Sequence, residues 1–204
     1  MSELSELDEQ CLRAGVELGA RTDPAWIALA LSRFDEVLVD HAHCEKKAAT
    51  NALSMMTMYP EIPGLPAAMA RLAKEEASHL ARVLAIMQKR GLTLGKDPGD
   101  PYVQALHANM DRGGRHHRLD KFLVAALVEA RSEERLKLLA QHLTDPGLRD
   151  FYGELASCEA GHATLFVRLA ERFVPEQEVQ ARLAWWIGVE ADILHRLPVR
   201  AAVH

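Results

Sequence analysis

Apolar residues recur along this chain at spacings of three and four, in long runs separated by a few clusters of proline and glycine. Between those clusters Ala, Leu, Glu, Arg and Lys dominate, and aromatic residues make up only 5% of the chain, too few to suggest strands. The pattern predicts an all-α protein. A short amphipathic helix is expected over 3–20. Thr22-Asp23-Pro24 then supplies a cap and a first-turn proline for a long helix to about Tyr59. A second stretch, 66–90, stops at Gly91 and completes a hairpin. Residues 91–118 change to Gly, Pro, Asp and basic side chains around a short helix at 101–109, which reads as a long crossover. A second hairpin follows, with helices over 119–143 and 148–173 joined at Asp145-Pro146-Gly147. Pro175 opens a further amphipathic helix, 176–197, carrying Trp185-Trp186 and expected to pack outside a four-helix bundle.

At 204 residues and 49% hydrophobic content, one core suffices, and a single domain over 1–204 is expected. The cysteines, Cys11, Cys44 and Cys158, form no CxxC pair, which argues against a disulfide framework and a thiolate metal site and favours a reducing cytoplasm. Neither a basic leader followed by an apolar run nor a long uncharged apolar stretch appears, so no membrane partner is expected. A net charge of −5 means that any nucleic-acid partner must meet a local basic surface.

The strongest chemical signal lies on the predicted hairpins. Glu45 is followed 31 residues later by Glu76-x-x-His79, and Glu129 is followed 30 residues later by Glu159-x-x-His162. Two helices that each contribute a Glu, and two that each contribute Glu-x-x-His, are the ligand plan of a dinuclear carboxylate site in a helical bundle. At about 1.5 Å per residue, each hairpin returns its Glu-x-x-His to the level of its Glu. Residues three apart share a helix face, so Glu76 with His79, and Glu159 with His162, point the same way. The neighbours place those faces inside: Leu38, Ala42 and Ala52 flank Glu45, and Phe122, Ala125 and Leu136 flank Glu129. Carboxylates buried at one level repel one another and are costly to desolvate unless cations neutralise them. A single Glu-x-x-His is commonplace on a solvated helix; its duplication behind two core-facing glutamates is not. Glu75 sits one position off the inward stripe. Glu133 is an alternative to Glu129 with a poorer match to the first hairpin. His41, one turn before Glu45, reads equally as a partner of that ligand or as a core histidine, and Cys44 and Cys158 read as small buried residues. Oxygen-rich, imidazole-poor coordination suits iron or manganese, with two iron ions as the default, able to reduce dioxygen and attack an unactivated C–H bond.

The segments Asp40-His-Ala-His-Cys-Glu45-Lys-Lys-Ala-Ala, Lys74-Glu-Glu-Ala-Ser-His79, Val128-Glu-Ala-Arg-Ser-Glu-Glu-Arg135 and Cys158-Glu-Ala-Gly-His162 resemble the tRNA 2-methylthio-isopentenyladenosine hydroxylase family, MiaE, over roughly 22–197. The resemblance implies a ferritin-like fold and a non-haem di-iron monooxygenase. Such an enzyme hydroxylates the isopentenyl side chain of a modified adenosine beside the tRNA anticodon, with O2 and electrons from a donor protein. It also implies the ligands Glu45, Glu76, His79, Glu129, Glu159 and His162, the set that spacing selects. For tRNA phosphates the strongest local candidate is Arg112, Arg115, Arg118 and Lys121 in the crossover, against the plainer reading of a solvated loop. A ferroxidase or iron-storage protein, which would require a many-subunit shell, and a peroxide-reducing protein are the alternatives.

Overall fold

The structure is a computed structural model that describes residues 16–204. Positions 3–15 of the first expected helix, with Cys11, lie outside the described residues, and positions 16–20 carry no helix. Among the described residues there are seven α-helices and no strand: α1 Pro24–Ser32, α2 Phe34–Met58, α3 Leu65–Lys89, α4 Pro101–Ala108, α5 His117–His142, α6 Pro146–Ala170 and α7 Glu176–Arg196. The long helix expected from residue 22 is therefore two. Ser32 Oγ donates to the Leu29 carbonyl at 2.8 Å, and Arg33, at φ −124° and ψ 40°, leaves the helical region before α2 begins. The fourth core helix ends at Ala170, short of the expected 173, in a run of turns.

The chain forms two compact units, one built from Ala28–Gly99 with Arg200–Val203 and the other from the remainder. In the first, α2 and α3 make an antiparallel hairpin. Asp35 and Glu36 favour the positive end of α2, which stops at Tyr59 because the residue before Pro60 is driven out of the α region. Gly64, at φ 76°, makes the left-handed turn into α3. Gly91, at φ 72°, ends α3: its N–H donates to Gln88 O at 3.1 Å and Leu92 N–H to Met87 O at 2.9 Å, satisfying the last carbonyls. Beyond it, the Leu94 carbonyl accepts from His43 Nε2 at 3.2 Å and Asp97 from Lys46 at 3.3 Å, so the first stretch of the crossover lies along α2.

The second unit holds α4, the α5/α6 hairpin and α7. Asp100 caps α4, its Oδ1 accepting from Tyr102 N and Val103 N, and Asp145 caps α6 through Leu148 N at 2.9 Å. Proline follows each cap at the first helical position, where a missing N–H costs nothing. Two buried polar clusters lock this unit. Arg131, fully buried on α5, donates to Glu190 on α7 at 2.7 Å, to the Ala20 carbonyl at 2.8 Å, to Thr22 Oγ1 at 3.2 Å and to Glu134. Tyr102 of α4 donates to the same Glu190 oxygen at 3.0 Å. Asp120, also fully buried, accepts from Arg182 Nε at 2.8 Å, from Trp186 Nε1 at 2.8 Å and from the Asp111 amide at 3.0 Å, pinning α7 to the start of α5.

Candidate metal centre

On the first hairpin the predicted residues come together. Glu45 of α2 and Glu76 and His79 of α3 are all buried, and each offers a ligand atom within 4.8 Å of the others. His79 Nδ1 lies 3.5 Å from Glu45 Oε2 and 3.6 Å from Glu76 Oε2, beyond the usual length of a good hydrogen bond. His41 Nε2 sits 2.6 Å from Glu45 Oε1. Burial pushes the Glu45 carboxyl up, but the hydrogen bond and charge of His41 and the contact with His79 outweigh it and hold the group well below the usual carboxylate range. His41 therefore orients one Glu45 oxygen and keeps the group anionic. Glu75 is exposed, as its position off the inward stripe requires.

The second hairpin repeats the arrangement. Glu129 of α5 and Glu159 and His162 of α6 are buried, with ligand atoms within 4.8 Å of one another and His162 Nδ1 3.1 Å from Glu159 Oε2. Glu133, one turn beyond Glu129, is partly exposed and lies 3.7 Å from Lys137. Cys44 is buried with its thiol 3.7 Å from Asp40, and Cys158 is half-buried.

Each hairpin thus buries two carboxylates and an imidazole of hard or borderline donor character. That set fits a divalent metal site: the ion would supply the charge that the buried carboxylates lack, and no thiolate competes within either triad. The basic side chains of the crossover take no part in it. Arg112 and Arg115 are exposed, Arg118 and Lys121 half-buried. Arg115 reaches Glu178 of α7 at 3.4 Å, and the Arg118 guanidinium lies 4.3 Å from the centre of the Phe173 ring. His107 is held below its ordinary value by burial and then by the charges of Lys121 and Arg112, a sign that positive potential gathers at this end of α4. Residue pairs that sequence spacing does not expose are Arg131 with Glu190, Asp120 with Arg182, and the buried chain in which His204 contacts Asp100 at 3.1 Å and Ser132 at 2.8 Å. Their members are 59 to 104 residues apart, and no local period links them.

The family model described as tRNA-(MS[2]IO[6]A)-hydroxylase (MiaE) matches residues 14–204. The chain belongs to the MiaE family. A tRNA 2-(methylsulfanyl)-N(6)-isopentenyladenosine(37) hydroxylase of Pseudomonas putida is 36% identical over 162 residues, covering 79% of this chain and 78% of that protein. One of the same description from Salmonella typhimurium is 33% identical over 130 residues, 62% of this chain and 46% of that one. Among solved structures, a protein with aldehyde deformylating oxygenase activity from Synechococcus superposes with a TM-score of 0.86 at 40% identity, covering 92% of this chain and 94% of its own. The fold is accordingly all-α and ferritin-like. No helix among the described residues is long and apolar enough to cross a membrane.

Proposed function

We propose that this MiaE-family protein hydroxylates the isopentenyl side chain of 2-methylthio-N6-isopentenyladenosine in tRNA, beside the anticodon, within the cytoplasm. The observation that carries the reading is the family match across residues 14–204, joined to a relative of that description at 36% identity. In this reading residues 1–204 act as one di-iron domain. Glu45, Glu76, His79, Glu129, Glu159 and His162 hold two iron ions, supported by the duplicated, buried triads. When bound, iron supplies the capacity to reduce dioxygen and oxidise an unactivated C–H bond. The balance is one C–H bond and O2, with two electrons from a donor protein and two protons, giving C–OH and water.

The chain's own residues do the rest. Burial of all six side chains keeps bulk water from the oxidising equivalents and strengthens every charge interaction there. Each Glu-x-x-His sets a carboxylate and an imidazole on one face of a rigid helix, and His41 fixes the lone pair that Glu45 presents. Arg112, Arg115, Arg118 and Lys121 meet tRNA phosphates.

The test incubates reduced, iron-loaded protein with tRNA carrying the isopentenylated base, with and without O2, and weighs the digested nucleosides. A gain of one oxygen that requires O2 is expected; none would sink the reading. A parallel arm with an aldehyde is warranted by the Synechococcus neighbour, and turnover there alone would move the substrate assignment to aldehydes.

A further inference from the structure

The outer face of α7 carries a feature that the metal centre does not use. Trp185 is 45% exposed, whereas its neighbour Trp186 is fully buried and hydrogen-bonded to Asp120. The Arg182 guanidinium lies 4.0 Å from the centre of the Trp185 ring and is itself held by two bonds to Asp120, so the cation is fixed over the aromatic rather than sweeping through solvent. Trp186 meets the same ring edge-on at 5.0 Å. The indole is therefore a rigid, partly uncovered plate. Its surroundings on the helix are small: Ala181, Ala184 and Gly188 are exposed, and a Cβ added at Gly188 would meet nothing within 4 Å. A flat group has room to approach, while a protein surface would find no continuous apolar patch to bury.

The charge beside the plate is basic. Asp120, which anchors Arg182, is flanked in the chain by Arg118 and Lys121, and Glu178, one turn before Arg182, is reached by Arg115 at 3.4 Å. Asp111, Asp120 and Glu178 stand among Arg112, Arg115, Arg118, Lys121 and Arg182 without reversing the excess of positive charge. An exposed aromatic with a fixed guanidinium, bordered by further cations, is the combination that single-stranded RNA recognises: bases stack on the ring while phosphates meet the charges.

We propose that Trp185 is a stacking platform for an unpaired nucleotide of the tRNA substrate, with Arg182 holding the ring and Arg112, Arg115, Arg118 and Lys121 tracking the adjoining phosphates. The proposal rests on the tRNA reading above.

Titration of the iron-loaded protein with the substrate tRNA and with a short anticodon stem-loop tests it. The other two tryptophans, Trp26 and Trp186, are 1% and 0% exposed, so quenching of intrinsic fluorescence by RNA reports on Trp185 and should vanish in Trp185→Ala. That variant should weaken tRNA binding by about 5- to 150-fold, the effect of one lost base–aromatic stack, with its salt dependence unchanged. Gly188→Glu, which enters open space on a helix and leaves the core untouched, should weaken binding as well while circular dichroism and thermal midpoint hold. Affinities within about twofold of wild type for both variants, with wild type still binding tRNA, would overturn the platform and leave the substrate assignment standing. So would a self-association lost in Trp185→Ala with tRNA affinity unaltered, which makes the ring a contact between copies. Absence of any binding by wild type would bring down the substrate assignment itself.

Discussion

The α2/α3 and α5/α6 hairpins bury the same side chains in the same order, yet they are held in place by different physics. In the first, His41 clamps Glu45 at 2.6 Å within the triad, while the charges away from it, Lys46 and Lys47 with Asp97, are only partly covered. In the second, α5 also buries Arg131, Arg135 and Asp120 and uses them to bind α7 and the segment at Ala20 and Thr22. Arg135 shows the strain of that choice, with a pKa lowered to about 10 by burial and then by the charge of Arg131. A repeated ligand pattern therefore says what each hairpin presents and nothing about what supports it.

Removing a ligand tests the equivalence of the two triads and carries the largest expected effect. Glu45→Ala and Glu129→Ala should each lower iron stoichiometry and cut turnover by more than about 100-fold, since partners outside the ligand set already cost about 10- to 100-fold. Helicity should persist, as neither side chain caps or packs a helix end. If Glu129→Ala keeps both irons by elemental analysis, the ligand role passes to Glu133.

Breaking the supports should expose the difference between the hairpins. Glu190→Gln or Arg131→Met leaves a charge of a buried pair uncompensated and should cost about 3–5 kcal/mol in urea unfolding. Lys47→Met on the first hairpin, whose ion pair with Asp97 at 3.8 Å is only partly covered, should cost less than about 1 kcal/mol. Equal losses would mean that the two hairpins are held alike.

His41→Ala should weaken metal retention by about 10- to 100-fold in chelator competition without abolishing binding, and it should act on the ion of the first hairpin. Full retention would reduce His41 to packing.

The smallest effect is on acid stability. Burial raises the Asp120 carboxyl, but Arg182, the Asp111 amide and Trp186 together hold it below its ordinary 3.8. A folded value below the unfolded one stabilises the protein above pH of about 4, and that contribution disappears as pH falls through the folded value. Asp120→Asn should flatten this acid limb of the stability curve; an unchanged limb would show that other carboxylates control it.

The helical hairpins were legible because their signals are local. Apolar spacing, the prolines at 60, 146 and 175 and the glycine at 91 each act within a turn or two, and the helix ends beside those four residues fall within two residues of expectation for that reason. The triads were legible because two short motifs recur at matched distance. The break at Arg33 was not, since it is a departure of a single residue's backbone angles inside a strongly periodic stretch, with neither proline nor glycine to mark it. Nor were Arg131 with Glu190 or Asp120 with Arg182: a charged residue on a helix reads as solvated until its partner, some sixty positions away, is known. The basic crossover was visible as composition, whereas its continuation onto α7 required the contact of Arg182 with Trp185.

The guanidinium of Arg131 also sets how this unit comes apart. α7 supplies the carboxylate that neutralises it, α4 secures that carboxylate through Tyr102, and the strand of chain at Ala20 and Thr22 covers what is left. Lifting α7 or that segment takes hydrogen-bond partners from the buried cation, and lifting α4 takes the Tyr102 bond from its carboxylate, so an eight-residue helix such as α4, too short to persist alone, borrows the lifetime of α5. Loosening on this side of the molecule is thereby made all-or-none.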